Sequence, residues 1–253
     1  MEDVRKIIKS HGMSSEKASR VKKRGHNKEH IFAGLINGEI IKGTKKPDVR
    51  GKHGQLYTIK GGSEIKRKEG RDGRWSIFLF SKSKFEKEED FPASDIFQKI
   101  LNCYPQKYED YQSSKDTYKK RIIPLMIELK EYLSNKENLS NFFNKSFFDK
   151  RVDFFVIYDD EIFHIFEKDE VWQTFLDYFE VKNSSTFQKV VFKYKKLCGE
   201  IEVRTTNDGK YPSMIFTMGK RANFNLLSEK ITKTKEFTHV IKLYGKAIET
   251  FNE

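Results

Sequence analysis

Cysteine is nearly absent from the 253-residue chain: Cys103 and Cys198 stand alone, without CxxC spacing. That excludes the usual zinc module and fits a reducing cytoplasm, the expected location. Long apolar runs are missing too. None approaches the ~20 residues that cross a bilayer, and the opening "MEDVRKIIKSHGMSSEK" holds no stretch of signal-peptide length, so no membrane is expected. A GxxxxGK[ST] loop is absent, which argues against ATP-driven work and a nucleotide cofactor. The GxSxG elbow and the HExxH helix are absent as well, which removes two familiar hydrolase classes.

What the chain has is charge and aromatic bulk. Charged residues make up 34% and hydrophobic ones 37%, with 22 Phe and 11 Tyr to fill a core. The formal net charge of +12 is unevenly spread. Residues 1 to 84 carry 22 Lys/Arg against 9 Asp/Glu (+13), and residues 85 to 253 carry 27 against 28 (−1). A basic front half attracts polyanions by neutralising phosphates and releasing counterions.

Residues 1–24 read as a polar, basic arm, and residues 25–253 as one α+β domain. Within it, 25–84 form a compact core and 85–253 an elaboration of helices and a hairpin. "NKEHIFAGLING" predicts a short helix capped by Asn27 and ended by Gly38, with Phe32, Leu35 and Ile36 as its apolar stripe. "EIIKG", two strands around His53-Gly54, and "WSIFLFS" predict three or four strands over 39–82. Helices are expected over 92–101, over 116–133 with a kink at Pro124, and over "ENLSNFFNKSFF". "VDFFVIY" and "IFHIF" predict strands joined at "DDE". "EVWQTFLDYF" predicts a helix, "EIEVRTTNDGKYPSMIFTM" a hairpin turning at Asn207-Asp208-Gly209, and 236–251 a helix.

The stretch "KKPDVRGKHGQLYTIKGGSEIK" carries the chemistry. Alternate strand residues share a face, so Thr58 and Lys60 project together. A turn centred between His53 and Gly54 sets residue 58 opposite 49 and Asp48 opposite Ile59, one cross-strand neighbourhood. A carboxylate can hold Mg²⁺ beside a phosphate while a lysine steadies charge and positions water. The rival pair Glu64 and Lys66 has the better-placed acid. In this register, however, Glu64 lies roughly 16 Å along the strand from Asp48 at ~3.3 Å per residue, beyond the Gly61-Gly62 interruption. Geometry favours Lys60, with Glu64 and Lys66 as the alternative catalytic residues.

"Pro47-Asp48 … Thr58-Ile59-Lys60", preceded by a helix and followed by a basic loop and an apolar strand, resembles the PD-(D/E)XK nucleases. The context, over roughly residues 25 to 82, is similar to type II restriction endonucleases. The resemblance implies a central mixed sheet flanked by helices, and Mg²⁺-dependent hydrolysis of double-stranded DNA to 5′-phosphate and 3′-hydroxyl ends. It implies Asp48, Glu29 from the preceding helix and the Ile59 carbonyl as metal ligands, with Glu39 and Glu64 behind Glu29. Lys60 would position the water, and Thr58, where the family usually has Glu or Asp, would hold a water of the metal. A homodimer would match a palindromic site.

Other residues suit DNA contact. "KRKEGRDGR" supplies Lys66, Arg67, Lys68, Arg71 and Arg74 beside the site, and the later hairpin supplies Arg204, Thr205, Asn207, Lys210 and Tyr211. His26, His30 and His53 need no metal, and "GHNKEH" lacks the ββα context of an HNH nuclease. Two other readings remain: a repair or junction-resolving nuclease of the same fold, and a nucleic-acid-binding protein without catalysis.

Overall fold

The computed structural model describes residues 27–42, 47–61, 73–88, 90–148, 151–206 and 210–252. Helix α1 covers 27–35. It stops where Asn37 takes a left-handed φ of 50° and the Gly38 amide donates to the Ala33 carbonyl at 2.8 Å. Gly38 is also needed for a tertiary reason: a Cβ there would lie 2.6 Å from the Arg50 carbonyl oxygen. The strands β1 (Glu39–Ile40), β2 (Val49–Arg50) and β3 (Leu56–Gly61) then form an antiparallel meander.

The β2–β3 register differs by one residue from the expected one. Val49 pairs with Tyr57 and Arg50 with Leu56, where the expected register set 49 opposite Thr58, and the Asp48 amide donates to the Tyr57 carbonyl. The cause is the loop. Gly51 donates to the Gln55 carbonyl (2.8 Å), Gly54 donates back to Gly51 (3.0 Å), and Gly54 adopts φ 90°. The turn is therefore centred on His53 itself.

The chain next runs through β4 (Arg74–Ser81), α2 (Lys82–Lys87), α3 (Ser94–Asn102), α4 (Tyr108–Ser113), α5 (Lys115–Arg121), α6 (Ile123–Ser134) and α7 (Lys136–Phe143). It returns as β5 (Phe154–Asp159), parallel to β3, then β6 (Ile162–Glu167), antiparallel to β5. Asp160 and Glu161 both hold positive φ between them, as a tight two-residue turn requires. Then follow α8 (Lys168–Tyr178), β7 (Glu180–Asn183), β8 (Val190–Tyr194), β9 (Lys196–Arg204), β10 (Ser213–Gly219), α9 (Lys220–Lys230), β11 (Thr234–Thr238), β12 (Ile241–Tyr244) and α10 (Ala247–Thr250).

The fold is α+β with two sheets. One is mixed and seven-stranded, in the order β1-β2-β3-β5-β6-β12-β11, and the other is antiparallel and five-stranded, β4-β10-β9-β8-β7. Side chains of the first sheet alternate between two apolar clusters. Tyr57, Ile59, Phe154, Val156, Phe163, Ile165, Ile241 and Leu243 pack with Phe32, Ala33 and Ile36 of α1. Phe155, Ile157, Phe166 and Tyr244 point the other way, into the larger cluster built with the second sheet and α3, α6 and α7. β5, buried on both faces, reads as an almost unbroken apolar run for that reason.

Several expectations need correction. Residues 236–251 are not one helix: "IKLY" alternates with period two, and β12 pairs parallel to β6 while β11 covers its outer edge. Pro124 does not kink a long helix but sits in the first turn of α6, where its missing N–H costs nothing; Ile122 is the joint with α5. α7 gives way to a wider π turn over Asn144–Phe148, where the Ser146 hydroxyl donates to the Phe142 carbonyl at 2.6 Å. Strand β4 leaves the first sheet for the second, and β7 and β8 were not anticipated. The arm at 1–24, His26 and the turn at 207–209 lie outside the described residues.

Candidate functional site

Asp48 stands at the end of β2 with its backbone fixed on both sides. Its amide donates to the Tyr57 carbonyl (2.8 Å), and its carbonyl accepts from Ile41 (3.0 Å). The side chain crosses to β3, where Oδ2 accepts the Ile59 amide at 2.6 Å and the Thr58 hydroxyl at 3.0 Å. Thr58 is fully buried, and its Oγ1 in turn accepts from Lys60 Nζ at 2.9 Å. Lys60 Nζ lies 3.8 Å from Asp48 Oδ2, with the two side chains 23% and 20% exposed. Asp48, Thr58 and Lys60 thus form one hydrogen-bonded line at the end of two adjacent strands. Partial shielding from water strengthens each link.

Asp48 Oδ1 carries no hydrogen bond among the described residues. A residue's N–H and C=O face the same neighbour in an antiparallel pair, so the Ile59 carbonyl faces the edge that holds this carboxylate. Among the described residues, no three His, Cys, Asp or Glu side chains gather to hold a metal. The protein donors here are one carboxylate and a backbone carbonyl. That set fits Mg²⁺, which keeps several waters and takes one or two carboxylates plus phosphate oxygens.

Glu29 is half-buried in the first turn of α1. Its neighbour Lys28 places Nζ 3.9 Å from the centre of the Tyr158 ring, and Tyr158 pairs with Gly61, one residue past Lys60. The start of α1 therefore lies near the C-terminal ends of β3 and β5, on the sheet face opposite Thr58 and Lys60. Glu39 is exposed and lies across from Arg50. Glu64, Lys66, Arg67, Lys68, Arg71 and Asn207 lie outside the described residues.

Arg74, expected on DNA, is ion-paired with the buried carboxylate of Glu200 on β9, which also meets Lys189 at 3.4 Å. It anchors the second sheet. Arg204 ends β9 opposite Ser213, and Lys210 is exposed beyond it. Tyr211 packs against the rings of Tyr108 and Tyr111, where burial pushes its phenol up to about 12.

Sequence reasoning missed three residues around the site. The Trp75 indole donates to the Gly61 carbonyl at 2.7 Å and ties β4 to the end of β3. Asp153 Oδ2 accepts the Leu56 amide at 2.8 Å, fixing the other end of β3. Lys220 approaches Gly61 from α9. Its only local signal is the strand-glycine-helix junction "FTMGKRANF".

His164 belongs to the same cross-strand row as Lys60, through Ile157. It is buried, its Nδ1 is 2.9 Å from the Tyr244 hydroxyl, and its ring packs on Phe224. Burial holds the imidazole below its ordinary value of 6.5, against the pull of Asp159 and Asp160 and with Lys242 adding to the depression. The unfolded chain then binds the proton more readily than the folded one. The contribution to stability is present above pH 6.5 and is lost as the pH falls through the folded value. Urea midpoints measured downward from pH 7.5 should show this loss in the wild type and a smaller one in His164→Asn. Parallel curves would rule His164 out as its source.

Comparison with family models, with curated proteins and with solved structures returns no match for this chain.

Proposed function

We propose that the protein is a Mg²⁺-dependent endonuclease of double-stranded DNA, of the PD-(D/E)XK type and in the manner of a type II restriction enzyme. The observation that carries this reading is the line Asp48–Thr58–Lys60, with carboxylate and ammonium held 3.8 Å apart through one buried hydroxyl. The order helix, antiparallel meander, then a long crossover to a strand parallel to β3 supports it further.

Bound Mg²⁺ supplies Lewis-acid polarisation of the phosphate and makes water a better nucleophile. Asp48, its Oδ2 locked by the Ile59 amide and the Thr58 hydroxyl, presents Oδ1 and charge at a fixed place. The Lys60 ammonium, steered by Thr58, donates to the phosphate oxygen on which charge builds and positions the incoming water. Water forms the new P–O bond in line as the P–O3′ bond breaks. The departing 3′-oxygen takes up a proton, leaving 5′-phosphate and 3′-hydroxyl ends. A homodimer would match such a site to a palindrome.

Purified protein on unmethylated phage-length DNA should yield discrete fragments in Mg²⁺ and none in EDTA. Cutting of branched junctions alone would move the reading to a repair or resolving nuclease. Thr58, neutral where an acid is usual, favours a second reading, a nucleic-acid-binding protein without catalysis. Salt-sensitive binding with uncut DNA in every lane would establish that one instead.

A further inference from the structure

We infer that α5 carries a second nucleic-acid contact, a cluster of unpaired cations that fits the phosphate backbone of a duplex; the choice of DNA as the polyanion rests on the reading above. Residues 85 to 253 are close to neutral as a whole, with 27 Lys/Arg against 28 Asp/Glu, but the charge is locally sorted. Over 107–121 there are five Lys/Arg and three Asp/Glu. The acids Glu109, Asp110 and Asp116 stand in the first turns of α4 and α5, while Lys119, Lys120 and Arg121 fill the last turn of α5. Among the described residues, none of these three, nor Lys115 at the start of α5, finds a carboxylate partner. Asp116 stands four residues before Lys120 without bridging to it. Exposed lysines elsewhere do pair, as Lys84 with Glu88, Lys136 with Asp177 and Lys233 with Glu249. Lys115 also opposes the helix dipole, which disfavours a cation at a helix start, so helix stability does not account for it.

The helix that bears these charges buries none of its residues, yet it is fastened firmly. Tyr111 of α4 is fully buried, and the rings of Tyr104, Tyr108, Tyr118 and Tyr211 surround it at centroid distances of 5.6, 6.1, 6.2 and 5.7 Å. Tyr118 is the contribution of α5 itself, and the Arg121 guanidinium lies 5.3 Å from its ring centre. Tyr211 ties the cluster to the start of β10, beside the exposed Lys210. From there β10 runs to Gly219, which pairs with Arg74 next to Trp75, the residue that holds Gly61. Its six steps of ~3.3 Å cover about 20 Å, or about six base pairs at ~3.4 Å each. A duplex lying along β10 therefore reaches both Lys60 and α5 within one helical turn. Like charges crowded on a short exposed helix repel one another, and a phosphate backbone relieves that repulsion while releasing its counterions.

The test measures binding of an unmethylated duplex of about two helical turns by fluorescence anisotropy in EDTA across a salt series. Thermal midpoints and cleavage in Mg²⁺ are recorded beside it. The triple variant Lys119→Gln, Lys120→Gln, Arg121→Gln should weaken binding roughly 10- to 100-fold and lower the log–log salt slope by about two to three. The double variant Lys119→Arg, Lys120→Arg keeps the charge and should keep the slope. Because last-turn cations also favour the helix dipole, the triple variant can lose stability; Lys115→Gln cannot by that route, and it should still lower the slope by about one. Wild-type affinity and slope in both the triple variant and Lys115→Gln would overturn the inference, whatever the midpoints. If the wild type cuts DNA and those variants bind as it does, the inference alone fails. If the wild type binds and never cuts, the nuclease reading fails, while the slopes still decide the phosphate contact.

Discussion

Lys60→Ala is expected to lower the single-turnover cleavage rate by roughly 10²- to 10³-fold, the usual cost of removing one preorganised donor to developing charge. Duplex binding should stay within a few-fold, because one lysine among many supplies a small share of the counterion release. The separation follows from the hydrogen-bonded line. Lys60 donates to Thr58 at 2.9 Å, while the grip of Ile59 and Thr58 on Asp48 does not depend on it. Alanine therefore removes the ammonium and leaves the carboxylate where it was. Lys60→Arg should not restore the rate, since a planar, longer guanidinium cannot occupy the place of a point charge against a buried hydroxyl. Full cleavage by Lys60→Ala would transfer the role to Lys66, the rival on the following segment.

On the nuclease reading, Thr58 also explains how the site would do without the usual acid. The position is fully buried, and its hydroxyl meets the Asp48 carboxylate at 3.0 Å. A second carboxylate there would be desolvated and would face a like charge, both of which push one of the pair towards protonation. The hydroxyl avoids that conflict. It donates to Asp48 and accepts from Lys60, so two charged groups are linked without a third charge.

The site was legible because its members are close in sequence. A Pro-Asp pair, a glycine-bearing turn and a Thr-x-Lys strand lie within residues 47–60, and strand alternation alone puts Thr58 and Lys60 on one face. The register was off by one because it depends on the turn's own hydrogen bonds, which residue types do not specify. What escaped was long-range. Arg74 meets Glu200, 126 residues away. Gly61 and Gly73, far apart from α9 in sequence, both lie against Lys220, and "IKLY" pairs with β6 as well as with its sequence neighbour β11. The alternation of Ile241 and Leu243 was visible in outline, but four residues beside a helix-like tail do not announce a parallel partner. Nor does any local pattern say that β4 leaves one sheet for another.

Phe142→Ala is expected to cost about 3–5 kcal/mol of folding stability, the range for emptying a large buried aromatic site. Phe142, on α7, is fully buried. Its ring centroid lies 5.3 Å from that of Phe216, 6.0 Å from those of Phe78 and Phe143, and 6.1 Å from that of Phe91. One side chain thereby joins α7 to β4 and β10. A cavity ringed by other aromatic side chains collapses poorly, so both the transfer and the void contributions persist. Against a total stability of about 5–15 kcal/mol, the variant stands near the edge of folding. Phe187→Ala is the control: that ring is 48% exposed, and its loss should move the urea midpoint by no more than about 0.5 kcal/mol equivalent. A cost below about 1 kcal/mol for Phe142→Ala would mean the cluster repacks freely. Phe142→Leu, which keeps most of the volume, should fall between the two. Its effect on DNA binding is informative, because β4 carries Trp75 and follows Gly73, the groups that fix Gly61 and Lys220. If the cluster supports the site through β4, Phe142→Leu should weaken duplex binding at a temperature where it remains folded.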